Sequence, residues 1–141
     1  MILPPISQSA VIPYRHDKDR LRVMLITSRN TGRWIVPKGM VEPNMTPWDS
    51  AAKEALEEAG LLGTVGKTKI CEYHYDKWET TFRVAVYPMR IAECLDDWEE
   101  REQRRRAWMT PKQAARRVRE QEVSEAIAAL GAFTDWPGDL P

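Results

Sequence analysis

Thr46-Pro47-Trp48-Asp49-Ser50-Ala51-Ala52-Lys53-Glu54-Ala55-Leu56-Glu57-Glu58-Ala59-Gly60 is the stretch on which the fold turns. Thr46 offers an N-cap hydroxyl, and Pro47 suits the first helical position, where its missing N–H would have had no partner. Gly60 closes the run as a residue free to take a positive φ, so residues 47–59 are predicted to form a helix. Its apolar side is mostly alanine, Ala51, Ala52, Ala55 and Ala59 with Trp48, and side chains that small let a helix lie close against a sheet. Glu54, Glu57 and Glu58 stand at i, i+3 and i+4, which sets three carboxylates side by side on one helix face.

Strand signals surround this helix. Val11-Ile12-Pro13-Tyr14 and residues 22–28 are short β-type runs about the polar turn 16–20, a first hairpin. Asn30-Thr31-Gly32 makes a tight turn, and Arg33-Trp34-Ile35-Val36 is a short strand that Pro37 ends. Downstream, residues 70–75 and 80–89 read as a second hairpin, with apolar residues alternating at Phe82, Val84 and Val86. A last strand at about 105–109 runs into Thr110-Pro111, a second cap signature, and a C-terminal helix is expected over about 111–130, ended by Gly131. Residues 133–141 read as a loosely packed tail. Alternating strands and helices with no repeat and no linker predict one α/β domain over residues 1–141.

Composition narrows the function classes. Lys plus Arg and Asp plus Glu both number 21, so bulk charge does not hold the chain to nucleic acid or to a membrane. No apolar run reaches the length of a membrane span, and Met1-Ile2-Leu3-Pro4-Pro5 is not followed by a signal-type apolar stretch, so a cytoplasmic location is expected. Cys71 and Cys94 lack CxxC or Cys/His spacing and read as reduced structural thiols. His16 and His74 have no second ligand at metal-binding spacing and read as surface or strand residues.

The acidic helix face carries the chemistry. Like charges at these spacings repel, and Lys53 is the one nearby cation, so a solvated helix side or a divalent-cation site are the two readings. Mg²⁺ takes a few carboxylate oxygens together with waters and substrate phosphates, which an acidic helix beside a loop supplies. Pro37-Lys38-Gly39-Met40, just upstream, adds a lysine suited to phosphate.

The run from Gly39 to Leu61 resembles the Nudix box, G-x5-E-x7-R-E-U-x-E-E-x-G-U with U aliphatic, over 23 positions. Gly39, Glu54, Glu57, Glu58 and Gly60 fall in register. Met45 stands in place of the first glutamate, Lys53 of the arginine and Ala55 of the first aliphatic residue. Arg33-Trp34-Ile35-Val36-Pro37, Val41-Glu42-Pro43, Gly63-Thr64-Val65-Gly66, Leu95-Asp96-Asp97-Trp98-Glu99 and Arg104-Arg105-Arg106-Ala107-Trp108 are similar to the diphosphoinositol polyphosphate phosphohydrolase branch, and Pro37-Lys38-Gly39 to the asymmetric dinucleoside tetraphosphate hydrolases.

The resemblance implies an α/β/α sandwich with a mixed sheet between helices, and metal-dependent hydrolysis of a phosphoanhydride by water attack on phosphorus. It implies Mg²⁺, with Mn²⁺ as a possible substitute, held by Glu54, Glu57 and Glu58 and the carbonyl of Gly39. Glu57 or Glu54 is the general base, and Lys53 orients the neighbouring carboxylates with a point charge in place of a bidentate fork. Arg29, Lys38, Lys77 and Arg104 are implied to bind substrate phosphates.

Residues 101–119 carry Arg101, Arg104, Arg105, Arg106, Lys112, Arg116, Arg117 and Arg119 against one acid, Glu102. This reads as a local cationic stripe, with Arg116, Arg117 and Arg119 as the wet face of the last helix. Trp34, Trp98 and Trp108 suit core packing, whereas Trp78, beside Lys77 in a hairpin turn, suits contact with a base or sugar. The expected partner is a small-molecule polyphosphate, with neither nucleic acid nor membrane; oligomeric state is not readable. The alternatives are a dinucleoside polyphosphate or nucleoside diphosphate-sugar hydrolase of the same fold, a non-catalytic nucleotide sensor in that fold and, ranked lowest, an RNA-binding protein.

Overall fold

A computed structural model describes residues 3–130. Eight strands form one mixed sheet, and three helices cover its two faces. The strands are β1 (Ile6–Asp17), β2 (Arg20–Thr27), β3 (Trp34–Ile35), β4 (Lys38–Met40), β5 (Leu61–Val65), β6 (Cys71–Lys77), β7 (Thr80–Cys94) and β8 (Arg106–Met109). The helices are α1 (Pro47–Ala59), α2 (Pro111–Arg117) and α3 (Gln121–Ala129), with a 3₁₀ turn at Arg101–Gln103.

β1 is the axis of the sheet. It runs parallel to β7 from Ile6 to Tyr14, and its other edge is shared between β4, opposite residues 8–10, and β2, opposite residues 14–17. Pro13 falls in the interval between those two registers, where its missing N–H interrupts neither. The 15 residues of β7 likewise serve two partners, β6 along the first half and β5 along the second.

Alternation along the strands sends side chains to two cores. Ala10, Ile12, Tyr14, Val23 and Leu25 face α2 and α3, joined by Val84, Val86, Val123 and Ile127. Val11, Met24, Ile26, Met89 and Ile91 face α1, which brings Ala51, Ala55 and Ala59 to them, all fully buried. Each fully buried Ile or Leu contributes about 1.5–3 kcal/mol, so most of the sheet's hold comes from these strands, while the alanines set how closely α1 approaches.

The expected caps of α1 are present. Thr46 Oγ1 accepts from Asp49 N at 3.1 Å, and Gly60 takes φ 67° while its N–H bonds back into the last turn. The C-terminal helix differs from expectation: residues 118–120 leave the helical path and separate α2 from α3. The apolar rhythm explains the break. Ala114 and Val118 are four apart, but the next core residue is Val123, five further on, and Ile127 and Leu130 follow from there. A single helix would turn Glu122 inward; an extended Val118 resets the phase, and Ser124 Oγ ties α3 to the Ala115 carbonyl at 2.6 Å. The sequence reading also passed over β4 and β5 as strands, started β1 five residues late and stopped β7 five residues early. The tail at 133–141 lies outside the described residues.

Both cysteines are free and half-buried, and burial pushes the Cys71 thiol up to about 12, which keeps it protonated at neutral pH. His16 and His74 are both exposed, on β1 and β6.

Candidate active site

α1 projects the three glutamates into different surroundings. Glu58 follows Ala51 and Ala55 on the sheet side and is only 7% exposed. One carboxylate oxygen accepts the backbone N–H of Lys38 at 3.2 Å, and the other faces Arg104 Nη2 at 3.5 Å. Burial, opposed by Arg104 and the Lys38 N–H, pushes the Glu58 carboxyl up to about 7. Glu54, one turn earlier, lies against the backbone of Gly39. A Cβ at Gly39 would overlap the Glu54 carboxylate, so any larger residue here would make that side chain move. Burial, reinforced by the charge of Glu57, raises the Glu54 carboxyl above its usual range as well.

Glu57 is the tethered member. Lys53 Nζ donates to Glu57, one turn on, and to Glu42 Oε1 at 3.1 Å, so the lysine is clamped between two carboxylates that hold its ammonium firmly charged. Glu42 lies three residues before Met45, on the loop after β4. It gives Lys53 a second acidic partner although Met45 carries no charge.

A fifth carboxylate joins from the segment after β7. The Glu100 N–H donates to the Glu57 carbonyl at 3.1 Å, and its side chain, 16% exposed, accepts from Arg104 Nε at 2.9 Å. Arg104 is itself 7% exposed, and its remaining reach goes to the Thr27 carbonyl at 3.0 Å. The arginine expected to meet substrate phosphate thus spends its donors on Glu100, Thr27 and Glu58. Sequence reasoning missed Glu100 because Asp96-Asp97 and Glu99-Glu100 read as ordinary surface charge, and Glu42 because it stands outside the box position.

The cationic stripe disperses in three dimensions. Arg101 pairs with Asp97, Arg105 stands over Trp34, and Arg106 reaches the Ala59 carbonyl at 2.8 Å, closing the negative end of α1. Arg119 sits in the break between α2 and α3 and lines a cleft, not the wet face of a helix.

Two clefts carry the side chains expected to bind substrate; neither is lined by an α1 carboxylate, but each includes one residue that contacts Glu58, Lys38 in one and Arg104 in the other. One, of about 340 Å³, is lined by Lys38, Lys77, Tyr73, Tyr75, Arg33 and Glu120 among others. The other, of about 370 Å³, gathers Arg29, Arg101, Arg104 and Arg105 with Glu102. Ser28 lines both. Of the four side chains expected to bind substrate, Lys38 and Lys77 fall in the first cleft, and Arg29 and Arg104 in the second. Lys38 Nζ stands 5.2 Å from the centre of the Tyr75 ring; burial, partly offset by Glu58, lowers its pKa. Trp78 is 85% exposed at the hairpin tip with Lys77 Nζ 4.5 Å from its ring. A larger cavity of about 400 Å³, bordered by Val41 and Pro47, contains none of the α1 carboxylates.

Among the described residues, no three acidic, histidine or cysteine side chains converge as a finished metal cage. The donor chemistry is what fits a divalent cation. The buried Glu58 and the half-buried Glu54 are raised by desolvation and by acidic neighbours, beside the tethered Glu57 and the backbone of Gly39. A hard cation with oxygen ligands would relieve that repulsion.

The model of the NUDIX domain matches residues 6–130. The chain belongs to the NUDIX family. It is 33% identical over 94 residues to human diphosphoinositol polyphosphate phosphohydrolase 3-beta, covering 66% of this chain and 56% of that protein. It is 30% identical over 144 residues to Nudix hydrolase 17, mitochondrial, of Arabidopsis thaliana, covering 92% of this chain and 76% of that one. The chain therefore spans little more than half the length of the human relative. Among solved structures, the Caenorhabditis elegans Ap4A hydrolase superposes with a TM-score of 0.74 at 19% identity, over 92% of this chain and 98% of that one. That likeness shows the shared fold, the mixed sheet between helices. No helix among the described residues is long and apolar enough to cross a membrane.

Proposed function

We propose that this NUDIX domain is a metal-dependent pyrophosphohydrolase that cleaves a phosphoanhydride in a small-molecule polyphosphate by water attack on phosphorus. The observation that carries the reading is the carboxylate arrangement on α1. Glu58 is held through both oxygens, by Lys38 N–H and Arg104, and the Glu54 carboxylate packs against Gly39, where an added Cβ would displace it. Burying partly compensated carboxylates costs stability, and a site that binds a cation accounts for the cost.

Glu54, Glu58, Glu57 and the Gly39 carbonyl would hold Mg²⁺, or Mn²⁺ in its place. The bound ion supplies neutralisation of phosphate oxygens and a lowered pKa for water. Glu57 receives a proton from the attacking water, and the Lys53 ammonium, which donates to it, aims its carboxylate. Lys38 and Lys77 meet substrate phosphates on one side of Glu58, and Arg29, 58% exposed, meets them on the other. Arg104 serves the same reaction through Glu58 and Glu100, which it positions.

Similarity to diphosphoinositol polyphosphate phosphohydrolases and to an Ap4A hydrolase supports a substrate with a diphosphate linked to another group. A cytoplasmic site of action belongs to this proposal, and cell fractionation checks it, since the plant relative is named as mitochondrial.

The test is product analysis with Mg²⁺ or Mn²⁺ on diadenosine polyphosphates, diphosphoinositol polyphosphates, nucleoside diphosphate sugars, NADH and nucleoside triphosphates, with Glu57→Gln and Glu58→Gln as controls. Turnover of at least one class, lost in both controls, is expected. No turnover of any class, or turnover that both controls retain, overturns the proposal.

A further inference from the structure

Granting the carboxylate site, we propose that Glu120 makes the tyrosine-lined cleft a subsite for a hydroxyl-bearing, nucleoside-type end of the substrate and turns away a cluster of phosphates. The break at 118–120 brings Arg119 and Glu120 into the cleft wall. Glu120 has a side chain 17% exposed and pairs with Arg33, whose Nη2 donates to its Oε2 at 3.2 Å. Arg33 Nη1 is buried without a partner, so among the described residues Glu120 is the side chain that holds this guanidinium.

Charge and donor count then separate two kinds of ligand. An ionised carboxylate presents acceptors only, and so do phosphate oxygens; placed face to face they repel and leave each other unsatisfied. A sugar hydroxyl or a base N–H donates to the same carboxylate. Arg33, which would otherwise attract phosphate, is already engaged by Glu120. Lys38, Lys77 and Arg119 remain as the cations of this cleft, set against Glu120 and Asp76, enough for a short phosphate run but not for a ring carrying phosphates all round. In the arginine cleft Arg104 is tied to Glu58 and Glu100, and Arg29, Arg101 and Arg105, with Glu102 beside them, are left to take the more highly charged end. The substrate this selects has two unlike ends, one polyanionic and one bearing hydroxyls and few charges. A dinucleoside polyphosphate fits that description; a diphosphoinositol polyphosphate does not.

The deciding experiment compares the Mg²⁺-loaded wild type, Glu120→Gln and Glu120→Asp on diadenosine tetraphosphate and on a diphosphoinositol pentakisphosphate. Calorimetric binding of ADP and of inositol hexakisphosphate is measured in parallel, and thermal melts confirm folding. The wild type is expected to favour the dinucleoside substrate in kcat/KM, Glu120→Gln to shift that ratio toward the inositol substrate at least tenfold, and Glu120→Asp to keep the wild-type ratio. The ADP to inositol hexakisphosphate affinity ratio should move the same way. A wild-type preference for the inositol substrate, or ratios within twofold across all three proteins in both measurements, overturns the inference. Absence of turnover with the binding shift intact would instead overturn the proposed hydrolysis and leave the subsite standing.

Discussion

The two clefts beside Glu58 are built from different materials. The tyrosine cleft is walled by strands and by the corner between α2 and α3, and many of its polar groups are already committed: Tyr75 OH donates to Gln8, Asp76 accepts from Thr81, and Arg33 pairs with Glu120. The arginine cleft is made by the turn after β2 and the segment before β8, with Arg29 and Arg101 more than half exposed. A wall of committed donors and acceptors selects by shape and hydrogen bonding, whereas exposed guanidinium groups select by charge. Glu58 contacts one residue of each, the Lys38 N–H and Arg104, so the proposed chemistry would sit where the two kinds of recognition meet.

The most severe way to test that junction is Glu57→Gln. Loss of a general base typically costs about 10²–10⁴-fold in rate, and the loss should be the same for any substrate, since Glu57 belongs to neither cleft. A loss confined to one substrate class in steady-state assays would place Glu57 in recognition instead.

Next in size is Arg104→Ala. It leaves Glu58 and Glu100 buried without their shared cation, and breaking such a pair costs about 3–5 kcal/mol. Chemical denaturation should show that loss, together with weaker Mn²⁺ binding. A variant with wild-type stability and a raised KM alone would return Arg104 to direct phosphate contact.

The pH dependence follows from Glu58. Its carboxyl is held at about 7, above the ordinary 4.5, so the folded state binds this proton more tightly than the unfolded chain does. The contribution favours folding while the group is protonated, and is lost as pH rises from about 4.5 through 7, an effect of about 3 kcal/mol. Metal-free protein should therefore melt lower at pH 8 than at pH 6 on account of this group, and Mg²⁺ should raise the melting temperature more at pH 8. An equal Mg²⁺ effect at both values would remove Glu58 from the cation site.

The smallest expected effect separates the clefts themselves. Arg29→Ala removes an exposed charge whose ion pair with Glu100 is long, 3.9 Å, so stability should change by no more than about 0.5 kcal/mol. KM for the more highly phosphorylated substrate should rise several-fold while that for ADP-ribose barely moves. Equal changes for both substrates would mean that the arginine cleft does not read charge.

α1 could be read from its sequence because every signal was local: a Thr-Pro cap, an alanine face, a closing glycine and carboxylates at helical spacing. β4 could not, since its three residues count as a strand only through pairing with β1. The C-terminal helix was read as one piece because Pro111 to Leu130 contains no breaker; the information lay in the five-residue step from Val118 to Val123. Within the site, the box glutamates and Lys53 were recognisable by register. Glu42 and Glu120 were not, because each acts through a cation brought to it from elsewhere in the chain; Glu100 has its partner Arg104 four residues on, but its place beside Glu57 and Glu58 comes only from the fold. Arg104 shows the converse: its position was evident in the sequence, but the acids that occupy it were not.

The account rests on the α1 carboxylates binding a divalent cation for hydrolysis, and the most direct measurement is turnover of diadenosine tetraphosphate by the wild type and Glu58→Gln, before and after chelation and on restoring Mg²⁺. Wild-type turnover that stops with chelator and returns with Mg²⁺, and a Glu58→Gln rate at least a hundredfold lower, is the predicted result. Turnover that survives chelation, or a Glu58→Gln protein as fast as the wild type, would contradict it.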